Sequence, residues 1–122
     1  MTVDASDVSP QVVIVLDAVD AERVAAFWAA ALRYRERDPL GPYRILVPPE
    51  GHDGVPVLVQ AVPEAKAGKN RMHIDIHVSD PDREVDRLVD LGATVVGPGE
   101  LGSIRWTTMS DPEGNEFCVG RR

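Results

Sequence analysis

The stretch Arg71-Met-His-Ile-Asp-Ile-His-Val-Ser-Asp80 decides the fold, because apolar and polar residues alternate through most of it. Successive side chains of a β-strand point to opposite faces, so this alternation predicts a strand with one apolar face and one polar face. The polar face carries His73, Asp75 and His77. The apolar face, which we expect to pack beneath a helix, carries Met72, Ile74, Ile76 and Val78.

The residues after this strand predict a helix and three more strands. Asp80 is a good N-cap for a helix over Pro81–Leu91, and Gly92 is typical of the position just beyond a helix. Short apolar runs then predict strands over residues 94–96, 104–109 and 116–119. The second half of the chain is therefore predicted to be a βαβββ unit.

The first half of the chain repeats this order of elements. A shift of about sixty residues aligns Asp20, which precedes a predicted helix over Ala21–Leu32, with Asp80, and it aligns Arg23 with Arg83. The predicted strands of this half cover residues 12–16, 33–37, 43–47 and 57–62. Two copies are too few to stack into a solenoid, so the repeat predicts two βαβββ modules joined through their sheets.

These elements predict an α+β fold with the helices on the outer face of the sheets. Residues 1–10 are acidic and polar, and we expect a flexible N-terminal tail there. Residues 11–122 are predicted to form a single domain, with module one at about 11–62 and module two at 71–120. Residues 63–70 (PEAKAGKN) contain Pro, Gly and Lys without apolar periodicity, which is typical of a linker.

Length, charge and cysteine content argue against several classes of protein. A chain of 122 residues, 43% of them hydrophobic, fits one folded domain. Its 20 acidic and 13 basic residues give a net charge of −7, which argues against nucleic-acid binding. The acidic charge either serves solubility alone or favours neutral or cationic partners. No apolar run approaches the roughly 20 residues that span a bilayer, and residues 1–10 do not resemble a signal peptide. A single cysteine excludes internal disulfides and suits a reducing compartment, so we expect a cytoplasmic protein.

The sequence also lacks the motifs of several large enzyme groups. It has no phosphate-binding Walker loop, no dinucleotide fingerprint, no paired-cysteine zinc motif and no serine in a nucleophile elbow. These absences argue against NTPases, Rossmann oxidoreductases, zinc ribbons and α/β-hydrolases.

The polar face of the strand at 71–80 is the main candidate site. Three ionisable side chains on one face of a central strand need water, polar partners or a metal ion, so they are either the floor of a cavity or an ordinary solvated face. On the last strand, Glu116 and Cys118 share one face. Cys118 is either a metal ligand, a reactive thiol or a small buried apolar residue. Trp106 belongs either to the core or to a cavity wall.

Three motifs carry a resemblance to a known family. They are His73-Ile-Asp-Ile-His-Val-Ser-Asp80 before a helix, Leu91-Gly-Ala-Thr-Val95, and the closing Asp111-Pro-Glu-Gly-Asn-Glu-Phe-Cys-Val119. In this order and spacing, and with the duplicated βαβββ pattern, they resemble the glyoxalase/bleomycin-resistance/dioxygenase group, also called the vicinal oxygen chelate superfamily. Within it, the chain is similar to small actinobacterial glyoxalase-like domain proteins. The resemblance covers about residues 11–120.

The resemblance implies that eight strands curl into one cup-shaped mixed sheet around an inward-facing site, commonly in a homodimer. Members that use a metal hold a divalent ion with four inward side chains, usually His or Glu, from the first and last strands of each module. The matching positions here are Val13, Gln60, His73 and Cys118. Val13 cannot bind a metal and Cys118 replaces a carboxylate, so we expect no cofactor. If a divalent metal does bind, the expected ligands are His73, Gln60 and Cys118.

We therefore expect a glyoxalase-like protein with a degenerate metal site that binds or sequesters a small organic ligand in the cup. The residues predicted to bind the ligand are Val13, Gln60, Trp106, Glu116 and Cys118. The alternative is a lyase- or isomerase-type enzyme, either metal-free with acid–base chemistry at His73, Asp75 and His77 or with a divalent metal at His73. Glyoxalase activity itself is not expected, because that reaction relies on a metal to polarise the substrate oxygens.

Overall fold

The computed structural model describes residues 13–70 and 72–122, so the predicted tail at 1–10 and Arg71 lie outside the described residues. The elements in chain order are β1 (Ile14–Ala18), α1 (Ala21–Leu32), β2 (Arg35–Leu40), β3 (Tyr43–Val47), β4 (Val57–Ala61), β5 (Ile74–Val78), α2 (Pro81–Leu91), β6 (Thr94–Leu101), β7 (Ile104–Ser110) and β8 (Glu116–Arg121). The order βαβββ occurs twice, as predicted, and the fold is α+β. Within the described ranges, neither helix is long and apolar enough to cross a membrane.

Both helices follow an aspartate and have the predicted bounds. The Asp20 side chain accepts a hydrogen bond from the backbone N–H of Arg23 (3.1 Å), and the Asp80 side chain accepts one from Arg83 (3.2 Å). Such N-caps satisfy backbone donors that the first helical turn leaves unpaired. Gly92 ends α2 with a φ of 121°, a conformation that favours glycine.

The eight strands form two separate four-stranded sheets, with strand order β1-β4-β3-β2 in the first and β5-β8-β7-β6 in the second. In each sheet the first pair of strands is parallel and the other pairs are antiparallel. The cup implied by the resemblance is therefore divided within one chain, because no ladder joins β1 to β5 among the residues described. Each sheet has one face packed against the helices and an opposite face, which we call the open face.

The hydrophobic core lies between the helices and the packed faces of both sheets. Trp28 of α1 contacts Phe117 of β8 edge-to-face, with ring centroids 5.0 Å apart, and Phe27 packs against both rings. Leu46 of β3 and Leu88 of α2 are fully buried in the same cluster. Because α1 belongs to module one and β8 to module two, one core serves both modules.

The turn at residues 111–115 also joins the modules. The buried carboxylate of Asp111 accepts a hydrogen bond from Trp28 Nε1 (2.9 Å). The carboxylate of Glu113 accepts hydrogen bonds from the backbone N–H groups of Val19 (2.8 Å) and Asp20 (2.7 Å), just before α1. The closing motif of the sequence therefore holds module two against the N-terminus of α1.

Arg87 makes a second polar connection between the modules. It donates hydrogen bonds to the carbonyl oxygens of Ala30 (3.1 Å) and Ala31 (2.7 Å) in the last turn of α1, and the Ala30 carbonyl also accepts from the backbone N–H of Arg33. Its guanidinium also forms an ion pair with Glu84, in which Arg87 Nε lies 2.7 Å from Glu84 Oε1. The hydrogen bond between these two side chains lowers the pKa of Glu84 and raises the pKa of Arg87. The modules are thus held together through their helices and the 111–115 turn.

Some strand bounds differ from the predicted ones. β6 continues to Leu101 through Pro98, and β2 continues to Leu40 through Pro39. Both are edge strands, where a proline costs no ladder hydrogen bond if its nitrogen faces outward. Met72 does not pack beneath a helix as predicted but is 78% exposed, because β5 begins only at Ile74.

Candidate functional site

An open cavity of about 1450 Å³ lies against the open face of the second sheet. Its wall consists of side chains that alternate along β5, β7 and β8 with residues of the core. The predicted site residues that line it are His73, Asp75, His77, Trp106, Glu116 and Cys118. The structure therefore brings together the part of the predicted site that comes from module two.

Val13 and Gln60 lie on the first sheet and do not line this cavity. Gln60 is on β4, opposite Asp17 of β1 and Tyr43 of β3. Val13 directly precedes β1 and is 41% exposed. The residues expected to meet in one cup are thus on two different sheets of the single chain, because the modules pack through their helices.

The His73 imidazole and the Asp75 carboxylate form a close pair at the start of β5. His73 Nε2 lies 3.1 Å from Asp75 Oδ1, and the two side chains are 54% and 52% exposed. With a proton on Nε2, the ring donates a hydrogen bond to the carboxylate, and in the neutral ring Nδ1 is then an acceptor. The pair can therefore hold an imidazole in one orientation for hydrogen bonding or for proton transfer.

Cys118 lies between Asp75 and Thr108 across the strand ladders. Its Sγ is 3.6 Å from Thr108 Oγ1, and its thiol is free and half-buried. Cys118 lines the cavity and is only partly buried, which disagrees with its interpretation as a small buried apolar residue.

One group among the described residues has the composition of a partial metal site. One ligand atom each from His73, Asp75 and Cys118 lies within 4.8 Å of the other two. An imidazole, a carboxylate and a thiolate suit Zn²⁺ with one open position better than Mg²⁺ or Mn²⁺, which prefer oxygen ligands. Gln60, the other expected ligand, lies on the first sheet. The group fits a divalent metal in part, so a metal at this place is possible.

Two neighbours of the site were not predicted from the sequence. Thr108 lies beside Cys118 on the open face, and strand alternation from Trp106 would have indicated it. Asn70 Nδ2 donates a hydrogen bond to the carbonyl oxygen of Glu116 (3.3 Å). This contact joins the linker to the start of β8, and no periodicity in the sequence signals it.

Comparison with known proteins agrees with this architecture. Residues 13–120 match the family described as glyoxalase-like domain. The fosfomycin resistance protein FosX from Listeria monocytogenes has a TM-score of 0.77 to this chain at 14% identity, over 94% of this chain and 92% of that one. A member of the glyoxalase/bleomycin resistance protein/dioxygenase superfamily from Sphaerobacter thermophilus DSM 20745 has a TM-score of 0.69 at 21% identity, over 94% of this chain and 98% of that one. TioX from Micromonospora sp. ML1 has a TM-score of 0.61 at 18% identity, over 93% of this chain and 98% of that one.

No curated protein sequence matches the chain. At identities this low, the likeness to solved structures shows a common fold and nothing further. The family match spans residues 13–120 and so includes both βαβββ modules and the cavity wall. The chain belongs to the glyoxalase-like domain family.

Proposed function

We propose that this chain binds or sequesters a small organic ligand against the open face of the second sheet, in a cavity that a second copy of the chain closes. The observation that carries the proposal is the convergence of aromatic, titratable and thiol side chains on one cavity wall. Small-molecule sites combine a mostly apolar wall with a few convergent polar groups. A FosX variant from Listeria monocytogenes, a relative in fold, is complexed with Mn(II) and 1S,2S-dihydroxypropylphosphonic acid.

The cavity of one chain is too open to enclose such a ligand. Its volume of about 1450 Å³ exceeds the roughly 300–1,000 Å³ typical of ligand pockets. The side chains of His73 and Asp75 are about half exposed. A second wall is needed to exclude water from the face that carries the polar groups.

Two strand edges favour a second copy as the source of that wall. Among the described residues, β1 pairs only with β4 and β5 only with β8, so each leaves one edge open. The other two edge strands carry features that discourage pairing: charges and Pro39 in β2, and Pro98 in β6. β1 (IVLDA) and β5 (IDIHV) lack prolines and are largely apolar. These edges are therefore suited to pairing, and a homodimer would pair β1 of one copy with β5 of the other.

The open face of the first sheet supplies a suitable opposite wall. Val13 and Val15 are 41% and 48% exposed although both are apolar. With β1 of the second copy beside β5, these valines and Gln60 of that copy would face His73 and Cys118. The two halves of the site expected from the sequence would then meet between copies.

The charge of the chain favours a cationic or neutral ligand. The net charge is −7, and the cavity lining holds five acidic side chains, Asp75 and Glu116 among them, against four basic ones. The free thiol of Cys118 suits a reducing compartment, so we also propose that the protein is located in the cytoplasm.

Ligand binding in this proposal needs no metal. Of the positions that the resemblance implies for a metal, Val13 has no donor atom and Gln60 is a neutral amide. A metal held by His73, Asp75 and Cys118 would supply Lewis-acid polarisation of a bound oxygen.

The second candidate is a lyase- or isomerase-type enzyme, and the His73–Asp75 pair is the observation that favours it. An imidazole oriented by a carboxylate is suited to moving a proton near neutral pH, and His77 lines the same wall.

Native mass spectrometry of gently purified protein, together with elemental analysis, tests the proposal. We expect a dimer that carries an organic molecule and much less than one metal ion per chain. One divalent metal per chain that is lost in His73→Ala would favour the enzyme. Protein that retains no organic molecule, and takes up none from a panel of small cationic and neutral compounds, would contradict ligand binding.

A further inference from the structure

A row of four residues crosses the open face of the second sheet, and rings alternate with glycines along it. His77 of β5 is opposite Gly120 of β8, Gly120 is opposite Trp106 of β7, and Trp106 is opposite Gly99 of β6. Cross-strand partners point to the same face, and neighbouring strands are about 4.8 Å apart. Trp106 therefore has a glycine on each side.

Gly99 determines where the indole lies. A Cβ at Gly99 would overlap three indole atoms of Trp106, Cε2, Nε1 and Cζ2. The indole thus occupies the space of the missing side chain and leans over β6, the edge strand. Covering an edge glycine in this way is a known stabilising device of sheets, so Gly99 has a structural explanation.

Gly120 is different: it is buried beside His77, Arg105 and Trp106, but its surroundings are less crowded than those of Gly99. A Cβ at Gly120 would be 3.6 Å from His77 Cδ2 and 3.9 Å from Trp106 Cβ, which are ordinary contact distances. A larger residue is therefore sterically possible, yet its side chain would stand between the imidazole and the indole. Glycine at this position leaves no side chain of β8 between His77 and Trp106, which both line the cavity.

We propose that the ligand contains a flat aromatic ring, which packs against the indole of Trp106 on its cavity side, with its edge toward His77. Packing of a flat ring on an indole depends on shape and is stronger than contact with a saturated ring of equal size. The proposal rests on ligand binding at this wall and adds the chemical class of the ligand.

Isothermal titration calorimetry with two probes of equal charge tests it. N-methylquinolinium is a flat aromatic cation, and N,N-dimethyldecahydroquinolinium is a saturated, puckered cation that likewise has a permanent charge and no N–H donor. We expect the flat cation to bind about tenfold more tightly, a typical gain for stacking on an aromatic side chain. Trp106→Leu should abolish this preference. Trp28 is only 1% exposed, so quenching of tryptophan emission by the flat probe reports contact with Trp106.

Two glycine variants provide a matched comparison on one strand. Gly99→Ala should displace the indole and weaken binding of the flat probe about tenfold. Gly97→Ala should leave binding unchanged, because a Cβ there meets nothing within 4 Å. Gly120→Val should block the flat probe, and its circular dichroism spectrum should show that the fold is kept.

Three results would overturn the inference: equal affinity for the two probes, equal binding by Gly99→Ala and Gly97→Ala, or no binding of the flat probe at all. If an organic molecule still co-purifies with the protein in any of these cases, ligand binding stands and only the stacking is wrong. If none co-purifies, the proposed function fails as well.

Discussion

Asp111 is the residue whose loss should disturb the packing of the modules most. It is 3% exposed and accepts hydrogen bonds from Trp28 Nε1, from the backbone N–H groups of Glu113 and Asn115, and from the Asn115 side chain. Asp111→Ala would leave the buried indole N–H without an acceptor. We expect the free energy of unfolding in urea to fall by about 3 kcal/mol.

The exposed Asp86 on α2 offers a control for this variant. Asp86→Ala should change the free energy of unfolding by less than about 0.5 kcal/mol. Similar losses in the two variants would contradict the role given to Asp111.

Glu84 should make a stability contribution that depends on pH. The hydrogen bond from Arg87 lowers the pKa of Glu84 in the folded chain, so the folded state binds this proton less readily than the unfolded state. The stabilisation is complete above the ordinary pKa of 4.5 and is lost as the pH falls through the lower folded value. The free energy of unfolding of wild type should therefore be about 1 kcal/mol larger than that of Glu84→Gln at pH 7. We expect this difference to shrink below about pH 4. A difference that stays constant or grows in acid would contradict this assignment.

At the scale of elements, local chemistry predicted the helices well and the strands only in part. Asp20 and Asp80 mark both helix starts, because an N-cap acts on its own first turn. The ends of β2 and β6 were missed because proline normally signals a break, and only the edge position of these strands makes it acceptable.

Alternation along β5 and β8 likewise identified the polar wall of the cavity, since side-chain direction in a strand is a local property. The division of the strands into two sheets could not be predicted from sequence pattern. It depends on contacts such as Trp28–Asp111, which join residues 83 positions apart.

The open edges of β1 and β5 should behave differently from those of β2 and β6. Pairing between copies would protect backbone N–H groups on the first two edges and leave the other two in water. We expect amide hydrogen exchange in β1 and β5 to slow as protein concentration rises, with no change in β2 and β6. Slowing confined to β2 and β6, or absent from all four strands, would contradict pairing through β1 and β5.

On the scale of the whole molecule, the chain carries two open faces, one on each sheet, and no strand ladder joins the two sheets among the described residues. The face of the second sheet holds the polar and aromatic groups, and the face of the first holds exposed valines and Gln60. The shared core, the 111–115 turn and Arg87 hold the modules side by side through their helices. In the dimer that we propose, a second copy would pair with the open strand edges and supply the missing cavity wall, so ligand binding and dimer formation are expected to depend on each other.

The most direct test compares native mass spectra of wild type, Val15→Arg and Val96→Arg after gentle purification. Val15 and Val96 are 48% and 56% exposed, so neither arginine disturbs the core, but only Val15 lies on β1. We predict that wild type and Val96→Arg are dimers carrying an organic molecule and that Val15→Arg is a monomer without one. A Val15→Arg monomer that still carries the molecule would contradict the claim that a second copy completes the site.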